Sequence, residues 1–163
     1  RGIYVIQKNL AETYYELDTK YIKDTLIEYL ESKDSKNHFR MMRNRFNDTV
    51  FGVNVYDAVL KQIGKQLSAE DPDFDIRALH ILYDHKVLMM ERLKYMMDNG
   101  YLEFNGEILD AYMEVENLML TARNLLIKTS ITGKVDCMDR FEKYLMSAKE
   151  KETAVFKQVV EML

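Results

Sequence analysis

The amino-acid sequence predicts an all-α protein, an antiparallel bundle of about five helices. Three observations predict it. One proline, Pro72, and six glycines occur in 163 residues; long helices need that scarcity, because proline breaks the hydrogen-bond ladder and glycine loosens it. Apolar residues recur every three or four positions over stretches of up to about 24 residues, as on one buried helical face. The stretches between them are polar and roughly five to ten residues long, which suits antiparallel neighbours. The composition, 47% hydrophobic and 31% charged, is that of one folded domain with a real core.

The elements follow in order. "GIYVI" near the N-terminus is apolar and β-branched, so residues 1–7 read as a strand or linker from a preceding domain, since a lone strand needs a partner. The sequence starts at Arg1, without an initiating Met or a signal-peptide pattern, and reads as cut from something longer. The first helix spans residues 18–32, capped by Asp18, with Tyr21, Ile22, Leu26, Tyr29 and Leu30 at helical spacing. "SKDSKNH" is a polar loop. Residues 39–51 read equally as a short helix or an extended lid. Gly52 opens the second helix, residues 53–67, whose stripe is Val55, Tyr56, Val59, Leu60, Ile63 and Leu67. A turn around Pro72 leads to the third, capped by Asp75 and stopped by Asn99-Gly100, with Ile76, Leu79, Tyr83, Val87, Met90, Leu93 and Met97 on its stripe. The fourth starts near Asn105-Gly106 and runs to about Thr129 along Ile108, Tyr112, Val115, Met119, Ala122 and Leu126. After "TSITGK" the fifth runs from Val135 or Asp136 to the end, along Met138, Phe141, Leu145, Ala148, Val155, Val159 and Met162.

Net charge is -4 with a pI near 5.5, and basic residues cluster only at Arg40, Arg43 and Arg45. No nucleic-acid partner is expected of such a chain. No apolar run approaches the roughly 20 residues of a membrane span, so no membrane partner is expected either. A single cysteine excludes an internal disulfide and a cysteine-based zinc site, and fits a reducing, cytoplasmic location. The glycines form neither a Walker loop nor a dinucleotide fingerprint, and no Gly-x-Ser-x-Gly occurs.

Polar residues inside the apolar stripes are the candidates for function. His80 and Asp84 share one face of the third helix; His85, Met89 and Arg92 share another. A helical metal pair wants histidines four apart. The spacing here is five, which turns the rings about 140° from each other, so no metal is expected. His80 reads as held by Asp84 at a helix–helix boundary, or as a polar contact to a partner domain or ligand. In the fourth helix Glu116 and Arg123 lie two turns apart on an otherwise apolar line, and Glu152 interrupts the stripe of the fifth. Arg123 bracketed by Glu116 and Glu152 would satisfy all three charges, and a ligand pocket or solvated boundary residues are the alternatives. The candidate pocket or ion-pair residues are therefore His80, Tyr83, Asp84, His85, Arg92, Glu116, Arg123, Asn124 and Glu152. Cys137, between Asp136 and Asp139, reads as a thiol of ordinary reactivity rather than a nucleophile. No catalytic residue and no cofactor are expected. The paired methionines at 41–42, 89–90 and 96–97 read as core, with a groove as the alternative.

Three stretches, "FGVNVYDAVLKQI", "DFDIRALHILYDHKVLMMERLKYM" and "LMLTARNLLIKTSIT", resemble the C-terminal helical half of the butirosin biosynthesis protein H-like acyltransferases. These are bacterial, papain-like proteins of natural-product biosynthesis. The resemblance covers residues 29–163. It implies a helical accessory domain that shapes an acceptor pocket or docks an acyl carrier protein, beside an upstream catalytic domain carrying the Cys and His. Nothing here matches that catalytic half, so no catalytic residue carries over. A stand-alone ligand-sensing or protein-interaction bundle is the alternative.

Overall fold

The computed structural model describes residues 16–34, 49–67, 75–133 and 137–163. Among them are five α-helices: α1 (Thr19–Leu30), α2 (Asn54–Leu67), α3 (Arg77–Asp98), α4 (Gly106–Thr132) and α5 (Met138–Met162). The all-α expectation holds. The expected strand at residues 1–7 and most of residues 39–51 lie outside the described residues.

The helix ends follow local chemistry. Asp18 caps α1 by accepting from Tyr21 N at 2.9 Å, and Asn105 caps α4 by accepting from Ile108 N at 3.2 Å. At the end of α3 the chain turns at Gly100, φ +72°. There Tyr101 N donates to Met96 O and Gly100 N to Met97 O, the paired bonds of a left-handed C-terminal cap. α4 runs past the expected stop at Thr129 to Thr132. The hydroxyls of "TSIT" are absorbed by the helix itself: Thr129, Ser130 and Thr132 each donate to a carbonyl one turn back, so they need not break it.

α3, α4 and α5 form the long body of the bundle, with α4 packed along both others and α1 and α2 each packed on α5. The core has two parts. One gathers Leu26 of α1, Met89–Met97 residues of α3, Ile108 and Tyr112 of α4, and Val155, Phe156 and Val159 of α5. The other gathers Tyr56 and Ile63 of α2, Leu79 and Leu82 of α3, Val115–Leu126 residues of α4, and Phe141, Leu145 and Ala148 of α5. The C-terminal half of α3 thus meets the N-terminal half of α4, as antiparallel neighbours must. α1 closes one end of the body and α2 the other.

A backbone staple joins those two short helices. The Tyr29 carbonyl accepts from both Ser32 N and Val53 N, and Ser32 Oγ accepts from Asn54 N at 3.2 Å. Gly52 makes this possible: its φ is +57°, and a Cβ there would fall inside the van der Waals sphere of the Tyr29 oxygen. Gly52→Ala is therefore expected to lower stability by well over the ~1–2 kcal/mol of a left-handed alanine. Gly100→Ala, at φ +72° with nothing within 4 Å of the new methyl, should lose only that backbone term. Urea unfolding of both variants checks the difference; equal losses would show that the staple is not tight.

Candidate functional site

The most unusual feature of the interior is a charged pair. Lys86 of α3 and Glu152 of α5 are both fully buried, and the Lys86 ammonium lies 2.9 Å from each Glu152 carboxylate oxygen. Three tyrosine hydroxyls donate to the same carboxylate at 2.8 Å: Tyr29 and Tyr56 to Oε2, Tyr112 to Oε1. The ammonium also donates to the Tyr29 oxygen at 3.2 Å and to His85 Nδ1 at 3.3 Å. Its three protons and the carboxylate's acceptor sites are thereby all used, which is the condition under which a buried ion pair is tolerable. All five helices contribute: Tyr29, Tyr56, Lys86 with His85, Tyr112 and Glu152. The network sits where the two apolar clusters meet.

The electrostatics follow from this crowding. Burial works to raise the Glu152 pKa, but Lys86 and the hydroxyls outweigh it and hold the carboxyl below its ordinary value. Burial pulls the Lys86 ammonium below its ordinary value, against the pull of Glu152. Burial and the Glu152 charge push the Tyr29, Tyr56 and Tyr112 hydroxyls far above theirs. His85, stacked on the Tyr29 ring at 5.8 Å, is lowered to about 4 by burial and by the neighbouring Lys86. The imidazole is neutral, and because Nδ1 accepts from Lys86 its proton sits on Nε2.

The sequence-level candidates separate into three groups. Glu152 and His85 belong to the network. Arg123 does not: no ion pair joins it to Glu116 or Glu152, and its guanidinium instead lies 4.4 Å from the centre of the Tyr83 ring. It reaches the exposed Asn124 carbonyl oxygen at 3.4 Å, and its Nε is buried without a partner. This corrects the expected Glu116–Arg123–Glu152 network. The physical reason is that Lys86 of α3 stands opposite Glu152 and takes its charge, while the Tyr83 ring of α3 takes the Arg123 guanidinium of α4. Glu116 is half-buried. His80 is half-buried and Asp84 exposed, and no hydrogen bond joins them, against expectation; Asp84 points to water rather than across the helix. Among the described residues no three His, Cys, Asp or Glu side chains gather as metal ligands would. Cys137 is buried, its sulfur 2.9 Å from Thr129 Oγ1.

Sequence reasoning missed Lys86 and the three tyrosines. α3 buries Leu79, Leu82, Lys86, Met89, Met90, Leu93, Met96 and Met97, a line one step round from the expected stripe. The available signal was a lysine in the middle of that line and a glutamate in the middle of α5's, two opposite charges on helices long enough to meet.

Beside the network lies a cavity of about 730 Å³ between α1 and α3, floored by α5. Its walls are mostly apolar: Leu17, Ile22, Leu26, Met89, Met96 and Phe156 among them. Tyr29 and His85 form its inner polar edge, and Glu91 and Arg92 also line it.

Two expectations follow from the network. Lys86→Met strands a buried carboxylate and should cost about 3–5 kcal/mol. Lys86→Met combined with Glu152→Gln removes both charges while keeping an acceptor for the tyrosines, and should be more stable than Lys86→Met alone. Arg123→Ala, losing a cation–π contact, should cost only about 0.5–1 kcal/mol. Denaturant unfolding of the three variants checks this; a double variant no better than the single would mean that the pair is not the buried charge balance described.

The second expectation concerns alkali. In the folded chain the Tyr29, Tyr56 and Tyr112 protons are held above the ordinary pKa of 10.0, whereas the unfolded chain releases them near that value. Their stabilisation is therefore complete below about pH 10 and is lost as pH rises beyond it, by ~1.4 kcal/mol per pH unit for each hydroxyl. Lys86, lowered from 10.5, acts in the opposite sense, but only at pH values below 10.5 and with one proton against three. Alkaline titration should show helix loss and buried-tyrosinate absorbance in one steep transition; tyrosines that all ionise with the helices intact would contradict the geometry.

No protein-family model, curated protein or solved structure matches the chain, so its function is read from the site's own geometry.

Proposed function

We propose that this chain is a non-catalytic helical binding module and that the α1–α3 cavity is where it binds. The cavity carries the reading. At about 730 Å³ it falls within the ~300–1,000 Å³ of small-molecule sites, and it combines apolar walls with a few polar groups, as such sites do. The chemistry elsewhere supports binding over catalysis. Lys86 and Glu152 are sealed from solvent and saturated by their neighbours, and the thiol of Cys137 is buried against Thr129.

In a larger protein such a module is the accessory domain that the resemblance to protein H-like acyltransferases implies, shaping an acceptor pocket or docking a carrier protein beside a catalytic domain. One observation favours partner docking, in that setting or in a stand-alone protein-interaction bundle, over ligand sensing alone. Ile81, Leu88 and Tyr95 lie seven residues apart on one side of α3 and are 70%, 60% and 54% exposed. A row of exposed large apolar side chains marks a face made for contact, and Leu88 and Tyr95 also line the cavity.

Titration with the apolar dye Nile red tests the reading. The chain should bind it with a fluorescence rise. Leu88→Glu, at an exposed cavity-lining position, should weaken binding by about ten-fold or more while leaving thermal unfolding nearly unchanged. Ile81→Glu, on the same face but not lining the cavity, should leave it intact. Failure to bind the dye, or equal effects of the two variants, would remove the cavity as the site.

A further inference from the structure

The polar groups on the cavity wall say what kind of molecule it takes. His85 is neutral with its proton on Nε2, because the Lys86 ammonium occupies Nδ1 at 3.3 Å. Nε2–H has no acceptor among the described residues, yet it is not one of the buried polar atoms left without a partner, and His85 lines the cavity. Arg92 lies two turns further along α3 but folds back, its Nη1 reaching the Met89 sulfur at 3.5 Å. That places the guanidinium about one helical turn from His85, near enough for its charge to contribute to the lowered His85 pKa. A thioether is a weak acceptor, and Arg92 has no carboxylate partner among the described residues. The other charge on this wall, Glu91, is taken by Lys94 at 3.0 Å. One cationic fork and one neutral N–H donor thus stand at the edge of a mostly apolar cleft, and among the described residues the fork meets only a thioether and the N–H no acceptor.

Building on the cavity as the binding site, the geometry points to an amphipathic monocarboxylate as its ligand: the carboxylate held by Arg92 and His85 Nε2–H, the hydrocarbon body among Leu26, Met89, Met96 and Phe156. A planar two-oxygen anion matches a guanidinium fork, and the remaining walls are mostly apolar. A neutral head group forfeits the charge-assisted bond, and a cationic one meets Arg92 at close range.

Calorimetric titration with dodecanoic acid, dodecanol and dodecylamine at neutral pH, each below its micelle concentration, tests this. Dodecanoate should bind at least about ten-fold more tightly than dodecanol, and dodecylamine least. Arg92→Gln should erase the preference for the acid over the alcohol while leaving dodecanol binding within two-fold or so. Because Arg92 is exposed, that variant is expected to fold as the parent does, which its circular dichroism verifies. Dodecanol equal to dodecanoate, or an acid preference that survives Arg92→Gln, overturns the carboxylate assignment and leaves the cavity as a plain apolar site. Absence of binding by all three, together with no Nile red binding, overturns the cavity reading itself.

Discussion

A single carboxylate organises this bundle. Glu152 stands inside α5, sealed from bulk solvent, and its oxygens are satisfied by groups from α1, α2, α3 and α4. Burying a charge is unfavourable unless every lone pair is met. The position of each helix is therefore constrained by where its one polar side chain must reach. Apolar stripes tolerate sliding and rotation at modest expense, since methyl groups have no direction. Hydrogen bonds of 2.8 Å to one carboxylate do not. The two apolar clusters supply the bulk of the cohesion, and the network between them sets one arrangement apart from other packings of the same stripes.

The network also shapes the cavity. Lys86 fixes the tautomer of His85, Tyr29 stacks on its ring, and Phe156 meets Tyr29 edge-on at 5.5 Å. The inner wall is therefore a set of rings whose orientations are decided by buried polar bonds behind them. A wall held this way is pre-organised, and a ligand meeting it has little to reorder on binding. Along the remaining walls, methionines at 89 and 96 supply the adaptable part of the surface.

Much of the architecture was legible in the sequence because periodicity and capping are local. Asp18, Asn105 and the Asn99-Gly100 stop act within one turn of themselves, and their helices end close to where these residues predict. The network was only half legible. Glu152 stood out as a charge within an apolar stripe, but choosing its partner required knowing how α3 and α5 face each other, which no local pattern encodes. Arg123 looked the better partner because it sat on an apolar line next to Glu116. Lys86 was passed over because lysine in a helix is ordinarily solvated, its long stem hiding how deep the ammonium can sit. The tyrosines were read as apolar, which their rings are; their hydroxyls gain meaning only once an acceptor is in reach. For α4, the threonines and serine at its end looked like a linker, and the helix absorbed them through its own carbonyls.

The staple at Tyr29 has a consequence for how the chain tolerates change. Its carbonyl ties the end of α1 to the start of α2 through Ser32 and Val53, with Asn54 held by Ser32 as well. The two helix ends are therefore fixed by bonds between themselves. Any change at Ser32, Gly52 or Val53 is thus felt by both helices at once and, through Tyr29 and Tyr56, by the carboxylate of Glu152.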